Sequence, residues 1–228
     1  DVGDLNNVDG EVMIAENSPV LVDGAVIGVI DLVENKRSRV RLLSDSSLTP
    51  SVRVSRGLQQ NLLLYRHVEV LMDALRTRGN LLEEAEKELL SQNLARLSAR
   101  LLNGKERLLL AKGELCGGAQ PLWRSQSLSL KGVGFNYDFS DDEGAARDLR
   151  TGKIIDTDSE AVPLIEVGDL LITSGLDGVF PEGLPVAIVT KRNPLREGAF
   201  TYEIEAQPVV GRFNDISTVF VIPPLDLR

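Results

Sequence analysis

The sequence predicts a mainly β fold with a helical insertion, in which two small β-barrels accompany an αα-hairpin. Three observations carry this prediction. Apolar and polar residues alternate around Val40 and Val52, as is typical of half-buried strands. Leucines recur every three or four residues between 58 and 104, which is the helical period. A strand pattern after Gly24 returns after Gly183, as two related barrels would require.

The first 57 residues predict short strands separated by turns. Asp9-Gly10 and Asp23-Gly24 are turn dipeptides, and short apolar runs lie between them at 12–14 and 19–22. Residues 25–33 are apolar and rich in β-branched side chains, as a well-buried strand would be. Further strands are expected where residues alternate, at 39–44 and 52–55.

Residues 58–104 predict two helices. Two sets of apolar residues have helical spacing: Leu64, Val68, Leu71 and Leu75 in the first segment, and Leu90, Leu94, Leu97 and Leu101 in the second. Gly79-Asn80 separates the segments, and Asn103-Gly104 ends the second one. We expect an αα-hairpin that keeps one apolar face for a partner, because an insertion is not needed to fill a barrel.

From about residue 108 the pattern returns to strands. We expect strands at 108–116, 127–137, 169–173, 185–191, 199–207 and 217–222. In the second of these, Gly132 and Gly134 mark a bulge or a close backbone approach. The expected division is a first barrel in 1–50, which the C-terminal strand can complete, and a second barrel in 51–228, interrupted by the insertion 58–104.

Charge and composition exclude several classes of function. The net charge of −9 disfavours nucleic acid as a partner, and only 4% of the residues are aromatic, which is poor material for a base-stacking surface. Lys36, Arg37, Arg39 and Arg41 form a basic cluster, which we interpret as a solvated β-hairpin rather than a binding patch. No apolar run approaches the roughly 20 residues of a membrane-spanning helix. The chain begins at Asp1, so we expect targeting segments to lie upstream.

Catalytic residue types are scarce. His67 is the single histidine and lies within the leucine-rich helical segment, and Cys116 is the single cysteine. A nucleophile needs an adjacent base and an acid behind it, so we interpret His67 as a helix residue and Cys116 as a structural thiol. No disulfide can form within the chain.

No metal and no cofactor is expected. The acidic residues Asp138, Asp141, Asp142, Glu143 and Asp148 lie close together, but they lack the spacing of a calcium-binding loop. They favour a solvated loop. The short glycine runs at 113–118 and 132–134 are not followed by the residues of a phosphate-binding loop.

Residues 167–186 read VGDLLITSGLDGVFPEGLPV. This segment resembles the signature of the MreC family, a GD-x-x-x-TSG run followed by G-x-FP-x-G-x-PV. We expect its signature residues to be structural: Gly168, Asp169, Thr173, Ser174, Gly175, Gly178, Phe180, Pro181, Gly183, Pro185 and Val186. Residues 20–30 and 38–45 resemble two further strands of the family, and the resemblance covers roughly 10–57 and 160–222.

The resemblance implies a function that composition alone does not. It implies two small barrels of the chymotrypsin-like, six-stranded type without a catalytic set, in a non-enzymatic scaffold of the bacterial cell-elongation machinery. The implied location is the periplasmic face of the inner membrane, with a transmembrane anchor upstream of residue 1. The implied partners are a class B penicillin-binding protein, MreD, RodA, other copies of the chain, and MreB through the upstream part. The helical insertion and the acidic loop depart from the family pattern.

One alternative remains from a different class. The protease-like barrel shape that the resemblance implies also suits a β-barrel hydrolase, in which Cys116 or a serine would be paired with His67. This alternative rests on analogy of fold. It requires the imidazole to lie within hydrogen-bonding reach of the nucleophile.

Overall fold

The computed structural model describes residues 7–8, 11–12, 14–34, 37–78, 82–104, 107–118, 129–136, 163–194, 201–211, 213 and 216–225. Several features expected from the sequence lie outside the described residues: the Asp9-Gly10 turn, Lys36, the Gly79-Asn80 break and the acidic cluster at 138–148. Two compact units are found. One comprises Asp1–Val54 and Leu110–Arg228, and the other comprises Ser55–Leu109.

The described elements follow the predicted order of strands, helices and strands. The strands are β1 (Asn7–Val8), β2 (Glu11–Val12), β3 (Pro19–Val22), β4 (Ala25–Val33), β5 (Ser38–Leu42), β6 (Ser51–Gly57), β7 (Arg107–Gly117), β8 (Leu130–Asn136), β9 (Leu170–Thr173), β10 (Pro185–Arg192), β11 (Tyr202–Pro208) and β12 (Phe220–Val221). The helices are α1 (Leu58–Thr77) and α2 (Glu84–Asn103). None of the helices described is long and apolar enough to cross a membrane.

Six strands form a closed barrel in the order β10-β11-β8-β7-β6-β9. Closure leaves no open edge in this sheet. All four residues of β9 are buried, and since successive side chains point to opposite faces of a sheet, both faces of this strand are covered. The helices are inserted between β6 and β7, which are neighbours in the barrel.

Phe135 of barrel strand β8 is one of the largest fully buried side chains in the described residues. A Cβ at Gly132 would lie 2.4 Å from the Ile204 side chain, and one at Gly113 would lie 2.6 Å from the Phe135 ring. Both glycines therefore make room for the ring. The register of β8 shifts next to Gly134, which has a positive φ of 76°. Of the two alternatives predicted for β8, the bulge is present, and the close neighbours of Gly132 are side chains.

A second sheet has the order β12-β3-β4-β5. Its core contains Val20, Ile27 and Ile30, and residues from the C-terminal segment pack against it, among them Val210 and Val221. The C-terminal strand β12 pairs with β3. The mainly β fold class is thus confirmed: the described residues contain a closed six-stranded barrel, two helices, this four-stranded sheet and the short β1-β2 pair.

The sequence echo corresponds to a structural repeat. The β3-β4-β5 meander of the second sheet matches β9-β10-β11 of the barrel, since both consist of antiparallel neighbours in the same order. Where β4 pairs with β3, the register shifts at Ile27, which faces no residue of β3. Where β10 pairs with β9, it shifts in the same way at Val186. In the pairing with the following strand, the shifts fall between Ile30 and Leu32 and between Val189 and Lys191. Ile27 and Val186 each lie three residues after the matching glycine, Gly24 or Gly183.

The turn before each meander is also repeated. Asn17 and Gly168 both have positive φ, at 66° and 96°. Each donates its amide to a carbonyl at the matching position of the second strand of its meander, Ile30 in β4 or Val189 in β10. The buried side chains that follow accept an amide three residues back. Ser18 accepts from Ala15 at 3.0 Å, and Asp169 accepts from Glu166 at 2.7 Å. The pairs Asn17-Ser18 and Gly168-Asp169 therefore form the same type of turn from different residues.

The helical unit is an antiparallel hairpin, as predicted. Its helices begin and end within one residue of the expected limits of 58 and 104. The start of α1 lies against the end of α2, because a Cβ at Gly104 would lie 2.5 Å from the Asn61 side-chain nitrogen. The buried residues of the two helices are Val68, Leu75 and Ser98.

Candidate interaction surface and signature segment

The signature segment begins with the turn that enters β9. Gly168 has a φ of 96°, a conformation that residues with a Cβ rarely adopt. Its amide donates to the Val189 carbonyl at 2.8 Å. Asp169 is buried, and its carboxylate accepts the Glu166 amide at 2.7 Å. These two residues attach the start of β9 to β10.

Thr173 closes the opposite end of β9. Its buried hydroxyl donates to the Pro181 carbonyl and accepts the Leu184 amide at 2.9 Å. Its backbone amide donates to the Leu184 carbonyl, and its carbonyl accepts the Gly183 amide, both at 2.9 Å. One threonine thus anchors both ends of the loop that connects β9 with β10. A valine of the same shape would leave two of these partners unsatisfied.

The loop itself is tied to a strand distant in sequence. Ser174 donates its amide and its hydroxyl to the Ser51 carbonyl at 3.0 and 3.1 Å. The Asp177 carboxylate accepts the Ser51 amide at 2.9 Å and the amides of Val179 and Phe180 at 3.0 Å. The loop therefore holds the first residue of β6 by both its donor and its acceptor.

The remaining signature residues shape and fill this corner. Gly175, Gly178 and Gly183 all have positive φ. Phe180 and Val186 are buried in the core, and Pro185 opens β10. The segment's hydrogen bonds join strands of the barrel to each other. The described contacts of the signature segment are thus hydrogen bonds within the barrel and between its strands.

Asp177 has a role that the list of signature residues did not include. The signal was present in the sequence, since Asp followed by Gly in Leu176-Asp177-Gly178 is typical of a side chain that accepts nearby backbone amides. Its third partner, Ser51, lies 126 residues away. No local sequence pattern predicts a hydrogen bond between residues that far apart in the chain.

The two residues of the hydrolase alternative lie in different units. His67 is exposed on α1 of the helical unit. Cys116 is a half-buried residue of barrel strand β7. In the described part of the chain, no group of three or more His, Cys, Asp or Glu residues that could hold a metal ion occurs.

The basic cluster is partly neutralised by its own hairpin. Asp31 forms ion pairs with Arg39, at 2.5 Å, and with Arg41, and Arg37 pairs with Glu34 at 2.6 Å. The hydrogen bond from Arg39 and the charges of both arginines lower the pKa of the Asp31 carboxyl below its ordinary value. These pairs agree with a solvated β-hairpin, since paired arginines have less charge to offer a ligand.

Exposed apolar side chains are concentrated in the helical unit. Of the thirteen large hydrophobic residues found exposed in the described ranges, eight belong to it: Leu62, Leu64, Val70, Leu71, Leu82, Leu89, Leu97 and Leu102. Exposed apolar surface of this kind marks interaction sites. The rest of the described chain exposes single residues, such as Leu176 in the signature loop and Phe220 in the edge strand β12. The hairpin is therefore the main candidate interaction surface.

Comparisons with known proteins agree with this architecture. Residues 128–223 match the family model described as "Rod shape-determining protein MreC, barrel core". The cell shape-determining protein MreC of Escherichia coli (strain K12) is 51% identical over 47 residues, which are 21% of this chain and 12% of that protein. The chain thus matches about an eighth of the length of this curated relative.

Solved structures of the same family are also similar. A structure described as MreC covers 92% of this chain and 71% of its own, with 20% identity and a TM-score of 0.46. MreC from Pseudomonas aeruginosa covers 92% of this chain and 81% of its own, with 20% identity and a TM-score of 0.45. The matched range 128–223 contains β8 to β12 and the whole signature segment. The resemblance found in the sequence is confirmed: residues 128–223 of this chain are similar to the barrel core of MreC, a rod shape-determining protein.

Proposed function

We propose that this chain is a non-enzymatic scaffold of the bacterial cell-elongation machinery, and that it binds cell-wall synthesis proteins outside the cytoplasmic membrane. The observation that carries the proposal is the signature segment, which lies within the family's barrel-core match and serves to hold barrel strands together. A segment whose described polar groups are engaged in architecture supports a binding module. The same engagement argues against an active site at this corner.

The proposed partners are those of a wall-synthesis complex. They are a class B penicillin-binding protein, MreD, RodA and further copies of the chain, with MreB reached through a part upstream of residue 1. The proposed location is the periplasmic face of the inner membrane, with an N-terminal transmembrane anchor. The net charge of −9 supports protein partners over anionic lipid or nucleic acid. We propose further that the sheet around 1–50, completed by the C-terminal strand β12, and the barrel within 51–228 are separate β modules.

The test is capture from envelope extracts. The 228-residue chain is immobilised, and the recovered proteins are identified by mass spectrometry. The proposal expects the penicillin-binding protein, MreD or RodA to be enriched over a bead control. MreB serves as an internal control, since its proposed contact lies upstream and this chain should not recover it directly. Recovery of none of the three membrane partners would contradict the proposal.

Catalysis is tested on the same material. His67→Ala and Cys116→Ala remove the side chains on which the hydrolase alternative depends. The proposal expects both variants to capture partners as the parent chain does. A hydrolytic activity on envelope proteins that the parent shows and either variant loses would overturn the non-enzymatic assignment.

A further inference from the structure

Helix α2 carries a row of exposed residues along one side. The row consists of Glu86, Leu89, Asn93, Leu97 and Arg100, which we name the α2 seam. All five side chains are exposed, including Leu89 at 62% and Leu97 at 39%. Since the helix turns about 100° per residue, these positions share one side of it. Helix α1 packs on a different side, where Leu94, Ser98 and Leu101 are half-buried or buried.

The seam has the same pattern in both directions. Its residues are separated by three, four, four and three positions. If α2 pairs with an antiparallel copy of itself around Asn93, each Leu89 faces the other copy's Leu97, and each Glu86 faces the other copy's Arg100. A two-fold interface requires this kind of self-complementarity, because each contact must occur twice with the partners exchanged.

Charge along α2 favours the same arrangement. The first half of the helix contains Glu84, Glu86 and Glu88 with Lys87, while the second half contains Arg96 and Arg100 and no acidic residue. Antiparallel copies place the acidic half of one helix beside the basic half of the other, whereas parallel copies would place like charges together. Within the described residues, Glu86 and Arg100 have no ion-pair partner, so both carry their full charge to an incoming surface.

Apolar surface next to the seam enlarges the patch. Leu64 and Leu71 of α1 lie four residues before and three residues after the buried Val68. Leu90 and Leu97 of α2 lie at the same distances from Leu94. The two pairs therefore occupy equivalent heptad positions. Equivalent heptad positions of an antiparallel helix pair lie on the same side of the pair. Leu64 and Leu71 are 47% and 46% exposed. A second hairpin that docks on the seam would cover them and complete a four-helix arrangement.

We infer that the hairpin docks on the hairpin of a second copy of this chain, through antiparallel pairing of the two α2 seams around Asn93. The two Asn93 side chains meet at the two-fold axis, where amides hydrogen-bond to each other and set the register. The inference specifies the surface through which copies of the chain associate. It rests on the proposed function only for the self-association itself. The interface is small, and we expect a dissociation constant in the micromolar range.

The test is sedimentation equilibrium on the full 228-residue chain and four variants. Arg100→Glu replaces two attractive pairs by two repulsive ones, so the dissociation constant should rise roughly tenfold at low salt. The double variant Glu86→Arg with Arg100→Glu restores opposite charges and should return to within about threefold of the parent. Leu89→Lys should give a monomer. Arg76→Glu, on an exposed position of α1 outside the seam, is the matched control and should change nothing.

The outcomes separate this inference from the scaffold function. Circular dichroism first confirms that each variant keeps its helices. A parent chain that stays monomeric, a dimer that survives both Leu89→Lys and Arg100→Glu, or a double variant that is not rescued would overturn the inference. A monomeric chain that still captures the wall-synthesis proteins overturns the self-docking surface alone and leaves the scaffold function standing. If Leu89→Lys abolishes capture without affecting a dimer, the seam binds a different protein and the inference is wrong.

Discussion

At the scale of single residues, Asp177 joins more separate parts of the chain than any other signature-loop side chain described above. One carboxylate oxygen accepts the amide of Ser51, and the other accepts the amides of Val179 and Phe180. The three amides lie in a partly buried corner. Amides that lose their acceptor in such a place are costly, because water cannot fully replace the carboxylate.

Asp177→Ala should therefore destabilise the fold by about 2–3 kcal/mol. The measurement is urea unfolding followed by circular dichroism. Asp177→Asn is the matched control, since it keeps one oxygen for Val179 and Phe180 but turns an amino group toward Ser51. We expect it to lose less stability than the alanine variant. An alanine variant as stable as the parent would show that the loop does not depend on this carboxylate.

Asp31 gives a prediction about pH. The Arg39 hydrogen bond, with the charges of Arg39 and Arg41, lowers its folded pKa. A carboxyl with a lowered folded pKa adds stability above its unfolded pKa, and that stability disappears as the pH falls through the folded pKa. The Asp31 carboxyl carbon, followed by NMR, should titrate with a midpoint below 3.8. Arg39→Ala should raise that midpoint. A midpoint at or above 3.8 in the parent chain would contradict the ion pairing.

At the scale of elements, sequence periodicity predicted whether a segment is a helix or a strand more reliably than it predicted which strands pair with each other. The hairpin was predicted to within one residue at each end, because two leucine heptads and a terminal glycine are local signals. The strand pairs β7-β8 and β10-β11 are neighbours in sequence, and their ranges were also close to those expected. The pairing of β6 with β9 was not predictable, since it joins residues more than a hundred positions apart.

The repeated meander shows where sequence similarity falls short. The apolar run after Gly24 and Gly183 was visible as an echo, but the preceding turns were not. Asn17-Ser18 and Gly168-Asp169 share no residue type, yet they have the same backbone conformation and bond the same positions. Asn tolerates positive φ, and Ser and Asp both accept amides. Residues with the same backbone and hydrogen-bonding properties take each other's place in the two turns. A comparison of residue identities therefore does not reveal the repeated turn.

Replacing residues 58–104 by a short Gly/Ser linker should leave the barrel folded. The barrel strands β6 and β7 are neighbours in the closed sheet, and Asp1–Val54 with Leu110–Arg228 form their own compact unit. The linked chain should unfold cooperatively and lose self-association, as measured by circular dichroism and sedimentation. Collapse of the barrel on deletion would instead make the hairpin part of its core, and the interpretation of the hairpin as a recognition element would be wrong.

At the scale of the whole molecule, composition excluded more than it identified. The acidic net charge and the scarcity of histidine and cysteine disfavoured nucleic acid, disulfides and nucleophilic catalysis. The resemblance to the family was recognisable because one short segment, β9 with the turns on both sides of it, must meet several geometric demands: positive φ at four glycines, a buried Phe180 and a threonine that bonds on two sides. Partner surfaces make no comparable demand on local backbone, and so a single sequence does not disclose them.

The central claim is that this chain holds wall-synthesis proteins outside the membrane. The most direct measurement places a photo-activated crosslinking amino acid in the full-length protein in living cells, at Leu176 in the signature loop and at Phe220 on strand β12. Both side chains are about two-thirds exposed. The buried Phe180 provides a control position that should give no adduct. Adducts of Leu176 or Phe220 with the class B penicillin-binding protein, MreD or RodA are the predicted result, whereas adducts with cytoplasmic proteins alone would contradict the claim.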